Sequence, residues 1–196
     1  MSKKDKNFYK SGNKKFDDGD YQGAIDDYSK AIELDPENPE IYIKRGHAKR
    51  MSDLHGANDD LSKAIDLFSK AIDLDPENPV TYRERGNVRS SYLVRDYQGA
   101  IDDYIKAIEL DPENPETYRE RGDVRSRYSV KDYQGAIDDY SKAIDLDPEN
   151  PKIYIERGDV RSRYSVEDYQ GAIDDYSKAI ELDPENPELY ISRGDI

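Results

Sequence analysis

Adjacent carboxylates recur along this sequence at Asp26/Asp27, Asp102/Asp103, Asp138/Asp139 and Asp174/Asp175. Paired carboxylates suit general acid–base chemistry. These pairs keep step with a repeat, and an active-site pair has no reason to be copied along a chain. The two histidines, His47 and His55, with no cysteine, give no converging ligand set for a metal. Both read as solvated side chains. The glycines are dispersed rather than gathered into a loop that could cradle phosphate. The expectation is a chain with no enzyme activity and no cofactor.

Arginine is the other residue type that could do chemistry. Every arginine lies in a segment that opens with proline, and none lies in the acidic segments between. Segments 79–95, 115–131 and 151–167 carry +3, +2 and +1, whereas 96–111, 132–147 and 168–183 carry -4 each. A guanidinium presents a planar fork matched to carboxylates, which points to a protein or peptide partner with acidic groups. The internal use of the same charges is also open. Arg45, Arg85, Arg121, Arg157 and Arg193 each precede a glycine and are expected to pair with acids such as Asp27, Asp103, Asp139 and Asp175, within or between repeats. Such pairs set register more than they add stability. A net charge of -14 disfavours nucleic acid and anionic membrane as partners. No apolar run approaches the ~20 residues of a membrane span, and the lysine-bearing start "MSKKDKNFYK" has no apolar stretch after it to make a secretory signal. The lack of cysteine fits a reducing compartment, so the expected location is cytoplasmic.

The elements that hold these charges are marked by punctuation. "LDPENP" begins at Leu34, Leu74, Leu110, Leu146 and Leu182 and contains all ten prolines. Within it Asn114 can cap a helix whose first position is Pro115, and the residue before Pro148, Asp147, ends the preceding helix. Asp132 can cap a second helix, whose small and apolar residues Tyr133, Ala136, Ile137, Tyr140, Ala143 and Ile144 share one face. The first helix is expected to run from Pro115 towards Val130.

These features resemble the tetratricopeptide repeat. An aromatic stands four residues before a glycine at Phe8/Gly12, Tyr42/Gly46, Tyr82/Gly86, Tyr118/Gly122 and Tyr154/Gly158. The second segments carry the series Ala24/Tyr28/Ala31, Ala64/Phe68/Ala71, Ala100/Tyr104/Ala107, Ala136/Tyr140/Ala143 and Ala172/Tyr176/Ala179. The resemblance implies an all-α fold, an α-solenoid of antiparallel helix pairs in a right-handed superhelix, with first helices lining a concave ligand groove. Repeats 5–38, 39–78, 79–114, 115–150 and 151–186, with a partial 187–196, are expected in one domain spanning 1–196. The implied groove residues are Tyr9, Asn13, His47, Arg50, Arg83, Asn87, Arg119, Asp123, Arg127, Ile155, Asp159 and Arg163. The implied function is a non-enzymatic interaction scaffold for an extended peptide or protein segment. A subclass of the family clamps acidic C-terminal tails, but only Asn13 matches that clamp; its other positions hold Tyr9, Lys44, Val80 and Glu84.

Three departures bear on the expectation. The last three repeats have two residues more than the family's 34, placed after the glycine, which lengthen the first helix or its turn. The second repeat contains the near-duplication "SKAIDLFSKAIDLD", and seven residues are about two helical turns. Its helix is expected to be longer than its siblings, with two registers open. The chain also stops inside a sixth first helix, so a partly open final face around Tyr176 and Ile180 could associate with another copy. Self-association through the ends, by a natural or engineered array, is the alternative function.

Overall fold

Residues 3–51, 53–127, 130–162 and 168–186 are described by a computed structural model. Among them the chain forms α1 (Lys3–Asp17), α2 (Tyr21–Leu34), α3 (Pro39–Lys49), α4 (Leu54–Leu74), α5 (Pro79–Ser90), α6 (Tyr97–Leu110), α7 (Pro115–Arg125), α8 (Tyr133–Leu146), α9 (Pro151–Ser162) and α10 (Tyr169–Leu182), with no strand. Contacts gather the helices into two compact units, Met1–Asp96 and Tyr97–Ile196. The boundary falls inside the third sequence repeat, between its two helices.

The hexapeptide acts as a stop followed by a start. Asp35, Asp75, Asp147 and Asp183 adopt φ of -141°, -141°, -137° and -135° and end α2, α4, α8 and α10, as steric pressure from the following proline requires. Asn38, Asn78 and Asn114 then cap α3, α5 and α7, and Pro39, Pro79 and Pro115 open those helices. The tyrosine four residues before each glycine ties the turn down: Tyr42, Tyr118 and Tyr154 donate to the carbonyls of Pro36, Pro112 and Pro148 at 3.2 Å each.

Second helices start on aspartate. Asp20, Asp53, Asp132 and Asp168 accept from the amides of Gly23, Gly56, Gly135 and Gly171. The glycine is steric in origin, since a Cβ on Gly135 would collide with the Asp132 carboxylate. The two extra residues of the later repeats go chiefly into the turn: α5 and α7 have 12 and 11 residues against 11 in α3. In those longer turns the residue before the capping aspartate is left-handed, with φ of 57° at Arg95 and 58° at Lys131; in the short first repeat Gly19 fills that place with φ of 80°.

Within each unit the helix pairs are antiparallel. In the first unit Phe16 meets Tyr21, Asn13 meets Tyr28, and Phe8 meets Lys30, so positions descend along α1 as they ascend along α2. In the second unit Arg125 reaches Asp132 while Asp123 reaches Tyr140. Neither α1/α2 nor α7/α8 closes its own core. Ala24, Tyr28 and Ala31 of α2 are buried by Phe8 and Phe16 on one side and by Ile41 and Ala48 of α3 on the other. Likewise Ala136, Tyr140 and Ala143 of α8 pack between Tyr118 of α7 and Ile153 and Val160 of α9. The core is therefore made by stacking, as in repeat architectures generally.

α4 is a single helix of 21 residues, against 14 in α2, α6, α8 and α10. It uses both registers allowed by its sequence. Towards α3 the buried series is Ala57, Leu61 and Ala64, one duplication earlier than the expected Ala64/Phe68/Ala71, and Phe68 and Ala71 stay half-buried. Towards α5 the later copy serves: Ser69 accepts from Arg85 as Ser29 accepts from Arg45. Seven residues nearly complete two turns, so one face can meet both neighbours.

Candidate interaction surface of the first helices

The glycine of each first helix organises the side chains around it. Gly12, Gly122 and Gly158 are buried against the rings of Tyr28, Tyr140 and Tyr176, where an added Cβ would lie 2.6, 2.9 and 3.1 Å away. This close approach carries the phenolic hydroxyl past the helix to the residue after the glycine. Tyr28 donates to Asn13 at 2.8 Å, Tyr140 to Asp123 at 2.8 Å and Tyr176 to Asp159 at 2.6 Å. In the second repeat Leu61 takes the tyrosine's place beside Gly46, and His47 follows that glycine.

The residues one before and three after the glycine point the other way, onto a buried aspartate of the second helix. Arg45 holds Asp60 with two prongs at 2.8 and 2.6 Å while Lys49 adds a third contact at 3.1 Å. Arg121 and Arg125 do the same to Asp139, and Arg157 and Arg161 to Asp175. Arg121 and Arg157 thus pair with two of the expected acids, Asp139 and Asp175, each within its own repeat. Arg45 also pairs within its repeat, with Asp60 and not Asp27. The latter has Lys15, Lys30 and Ser11, because Ser11 occupies the arginine's position in the first repeat. Burial pushes the Asp27 carboxyl up, but Lys15, Ser11 and Lys30 together hold it below the usual carboxylate range. The cation three after the glycine was overlooked by sequence reasoning, though Lys15, Lys49, Arg89, Arg125 and Arg161 recur there visibly. A further prong joins repeats: Arg45, Arg85 and Arg157 donate to Ser29, Ser69 and Ser141 of the preceding second helix. Arg193 lies outside the described residues.

The expected groove residues fall into several environments. Asn13 and His47 line one cavity of about 220 Å³ with Phe16, Asp17, Tyr28 and Lys44. Desolvation on the inner side of His47, with Lys44 and Arg50 nearby, lowers its pKa below the ordinary histidine value. Tyr9 donates to Glu40 at 2.5 Å, and its hydroxyl pKa is raised chiefly by burial and then by that carboxylate. Arg50 is an exposed C-cap of α3. Arg83 pairs with its neighbour Glu84 at 2.8 Å, and Asn87 is half-buried.

In the second unit Asp123, Arg127 and Asp159 line a cavity of about 310 Å³ with Ser126, Tyr140, Glu156 and Val160. Arg127 also lies over the Tyr97 ring, 5.2 Å from its centroid. Ile155 packs towards Tyr154 and Ala179. Arg119 is only 7% exposed. Its guanidinium is taken by Glu116 and Asp123 of its own helix and Glu156 of α9. Those three acids raise the Arg119 pKa above the usual arginine value, Glu116 most, against the opposing effect of burial. Burial, and then Asp123, push the Glu156 carboxyl up to about 7, with Arg119 and Lys152 opposing. The Asp123 carboxyl is likewise raised by burial. Arg163 lies outside the described residues, as does the segment 187–196 on which the expectation of an open end turned; Tyr176 is buried and Ile180 half-buried. No group of three or more His, Asp or Glu side chains that could hold a metal occurs among the described residues. Nor is any described helix long and apolar enough to cross a membrane.

Comparison with known proteins follows the same repeats. A TPR repeat model matches residues 12–49, 96–127, 125–163 and 161–196, and a tetratricopeptide repeat model matches 50–78. No curated protein matches significantly. Among solved structures, a crystal structure of MamA is 28% identical, covers 89% of this chain and 95% of its own, and has a TM-score of 0.58. TTC0263, a thermophilic TPR protein of Thermus thermophilus, is 16% identical over 97% of both chains with a TM-score of 0.65, a likeness of fold alone. The first TPR of Spaghetti (RPAP3), bound to the HSP90 peptide SRMEEVD, is 27% identical, covers 62% of this chain and 91% of its own, and has a TM-score of 0.54. With matches at repeat period over most of its length and an all-α helical-repeat solenoid fold, the chain belongs to the tetratricopeptide repeat family.

Proposed function

We propose that this chain is a non-enzymatic interaction scaffold that takes an extended peptide or protein segment along its first-helix face. The observation that carries the reading is the cavity beside the residue after the glycine. It recurs in both units, with Asn13 and His47 in one and Asp123 and Asp159 in the other, each floored by a second-helix tyrosine. A concavity with a few fixed polar groups over an aromatic floor is a general form of ligand-binding pocket, here repeated along the chain as an extended ligand would need. Arg50, Arg83, Asn87 and Arg127 flank these positions along the first helices, with Tyr9 and Ile155 supplying apolar surface. Arg163 is the counterpart of Arg127 in the sequence of the next repeat.

The likeness to a TPR that binds SRMEEVD supports a peptide ligand as a class. The clamp comparison argues against that particular acidic tail, since this chain keeps one of five positions. The two cavities differ in charge: the first sets Lys44 against Asp17 beside a His47 whose lowered pKa leaves it uncharged, while Asp123, Glu156 and Asp159 outweigh Arg127 and favour donors in the second. Arg119 serves this surface by orienting Asp123 and Glu156, not by reaching ligand.

The test is binding of the full chain to an arrayed library of twelve-residue peptides, beside a His47→Glu/Arg127→Glu variant of the full chain. The expected result is a defined peptide subset captured by the unmodified chain and lost by the variant. Equal capture by both, or no capture by either, would overturn the reading.

A further inference from the structure

A third cavity, of about 450 Å³, lies in the first unit and is lined by Asn38, Pro39, Glu40, Ile43, Phe68 and Glu84. It has an apolar floor of Ile43 and Phe68 and two carboxylates, one from α3 and one from α5. No groove position assigned above lies in it.

The repeat itself shows what such a place holds. Counted from the glycine, Glu40 stands six before Gly46, Ile43 three before it, and Glu84 two before Gly86. The same three positions one pair of repeats later are Glu116, Arg119 and Glu156. There the middle residue is an arginine whose guanidinium bonds both glutamates, Nε to Glu116 at 2.8 Å and Nη1 to Glu156 at 3.1 Å. In the earlier repeats both glutamates are kept and the arginine is replaced by Ile43. The carboxylates remain, and both line a cavity together with Ile43.

From this correspondence we infer that the pocket between α3 and α5 is a subsite for an arginine side chain of the bound segment, which Glu40 and Glu84 hold as Glu116 and Glu156 hold Arg119. The aliphatic stem lies on Ile43 and Phe68, and the planar fork meets the two carboxylates. Glu84 already pairs with Arg83, and Glu40 already accepts from Tyr9. That does not close the site, because Glu156 accepts Arg119 and Lys152 together. The third acid of the internal cluster, Asp123, corresponds to His47, so the guest has two carboxylates rather than three. Phe68 is available as floor because the duplicated turns of α4 bury Leu61 in the position facing Gly46. The subsite deepens the proposed peptide-binding function and rests on it.

The experiment uses the isotope-labelled full chain, titrated with N-acetyl-arginine amide and with its neutral isostere N-acetyl-citrulline amide, read by backbone amide shifts. The expected result is saturable movement at Ile43, Phe68 and Glu84 with the arginine probe, and at least fivefold weaker binding of citrulline. Glu84→Gln and Glu40→Gln each weaken the arginine probe at least fivefold. Ile43→Arg fills the pocket from within and abolishes the response. Arginine and citrulline binding within fivefold of each other, an undiminished response in folded Ile43→Arg or in the glutamine variants, or no shifts at those amides would overturn the subsite. If the subsite fails while peptide capture by the unmodified chain survives and His47→Glu/Arg127→Glu loses it, the broader binding function stands; loss of both removes the broader reading too.

Discussion

Arg121 grips Asp139 with two prongs, Nε to Oδ2 at 2.9 Å and Nη2 to Oδ1 at 2.6 Å, with Asp139 only 3% exposed. Arg125, one turn further along α7, adds a third contact at 2.9 Å. The aspartate is buried by the repeat's own packing and would be costly there without these two cations. Removing it strands both. Asp139→Asn is expected to destabilise the chain by about 3–5 kcal/mol, seen as a lower urea midpoint. Asp138→Asn, at the exposed member of the pair, should stay within about 0.5 kcal/mol of the parent. Equal midpoints for the two variants would contradict the assignment.

Gly122 is set by its contact with Tyr140, not by backbone freedom. An alanine Cβ would sit 2.9 Å from the ring, and the ring is fixed by its bond to Asp123. Gly122→Ala should cost about 1–3 kcal/mol through overpacking, measured by thermal unfolding, with Tyr140→Ala in the background reducing the penalty. A neutral Gly122→Ala would show that the ring moves freely.

Gly19 is a glycine of the other kind. Nothing lies within 4 Å of an added Cβ, and φ is 80°. Gly19→Ala should therefore cost about 1–2 kcal/mol from backbone geometry alone. The converse substitution, Lys131→Gly at φ of 58°, should recover up to about 1 kcal/mol. Denaturant midpoints of both variants, moving in opposite directions, check the account; movement in the same direction would contradict it.

Glu156 gives the fold a pH dependence. Its carboxyl is raised to about 7 by burial and by Asp123, above the ~4.3 of an unfolded glutamate. The native state therefore holds a proton that the unfolded state has released across that window. The stability contribution is complete below about 4.3 and is lost as pH rises through about 7. Glu156→Gln should flatten the fall in stability between pH 5 and pH 8, on the order of 1–3 kcal/mol. Asp27 acts oppositely: its pKa is depressed, so its contribution holds above ~3.9 and is lost as pH falls through its folded value. Melting temperature against pH for the parent and Glu156→Gln decides the point, and parallel profiles would contradict it.

What the sequence made legible was local. Asn38, Asn78 and Asn114 as caps, Pro39, Pro79 and Pro115 as first helical residues, and the buried Ala136/Tyr140/Ala143 face all follow from neighbours a few positions apart. The partner of Arg45 did not follow, because Asp27 and Asp60 are equivalent in type and only packing selects between them. Nor did the burial of Arg119. Its acids Glu116 and Glu156 lie on two helices, and the offsets that bring them together become meaningful only once the stacking of α7 and α9 is known. The two added residues of the later repeats were ambiguous between helix and turn for a similar reason: whether α5 and α7 stop early depends on the left-handed residues Arg95 and Lys131, which carry no glycine to signal them.

Each helix pair shares its buried face with the next, and that sharing is the claim on which site and fold both rest. The most direct test is the isolated peptide 115–150, followed by circular dichroism during heating. The account predicts a largely unstructured peptide with no cooperative transition, whereas a helical peptide that melts cooperatively by itself would contradict it.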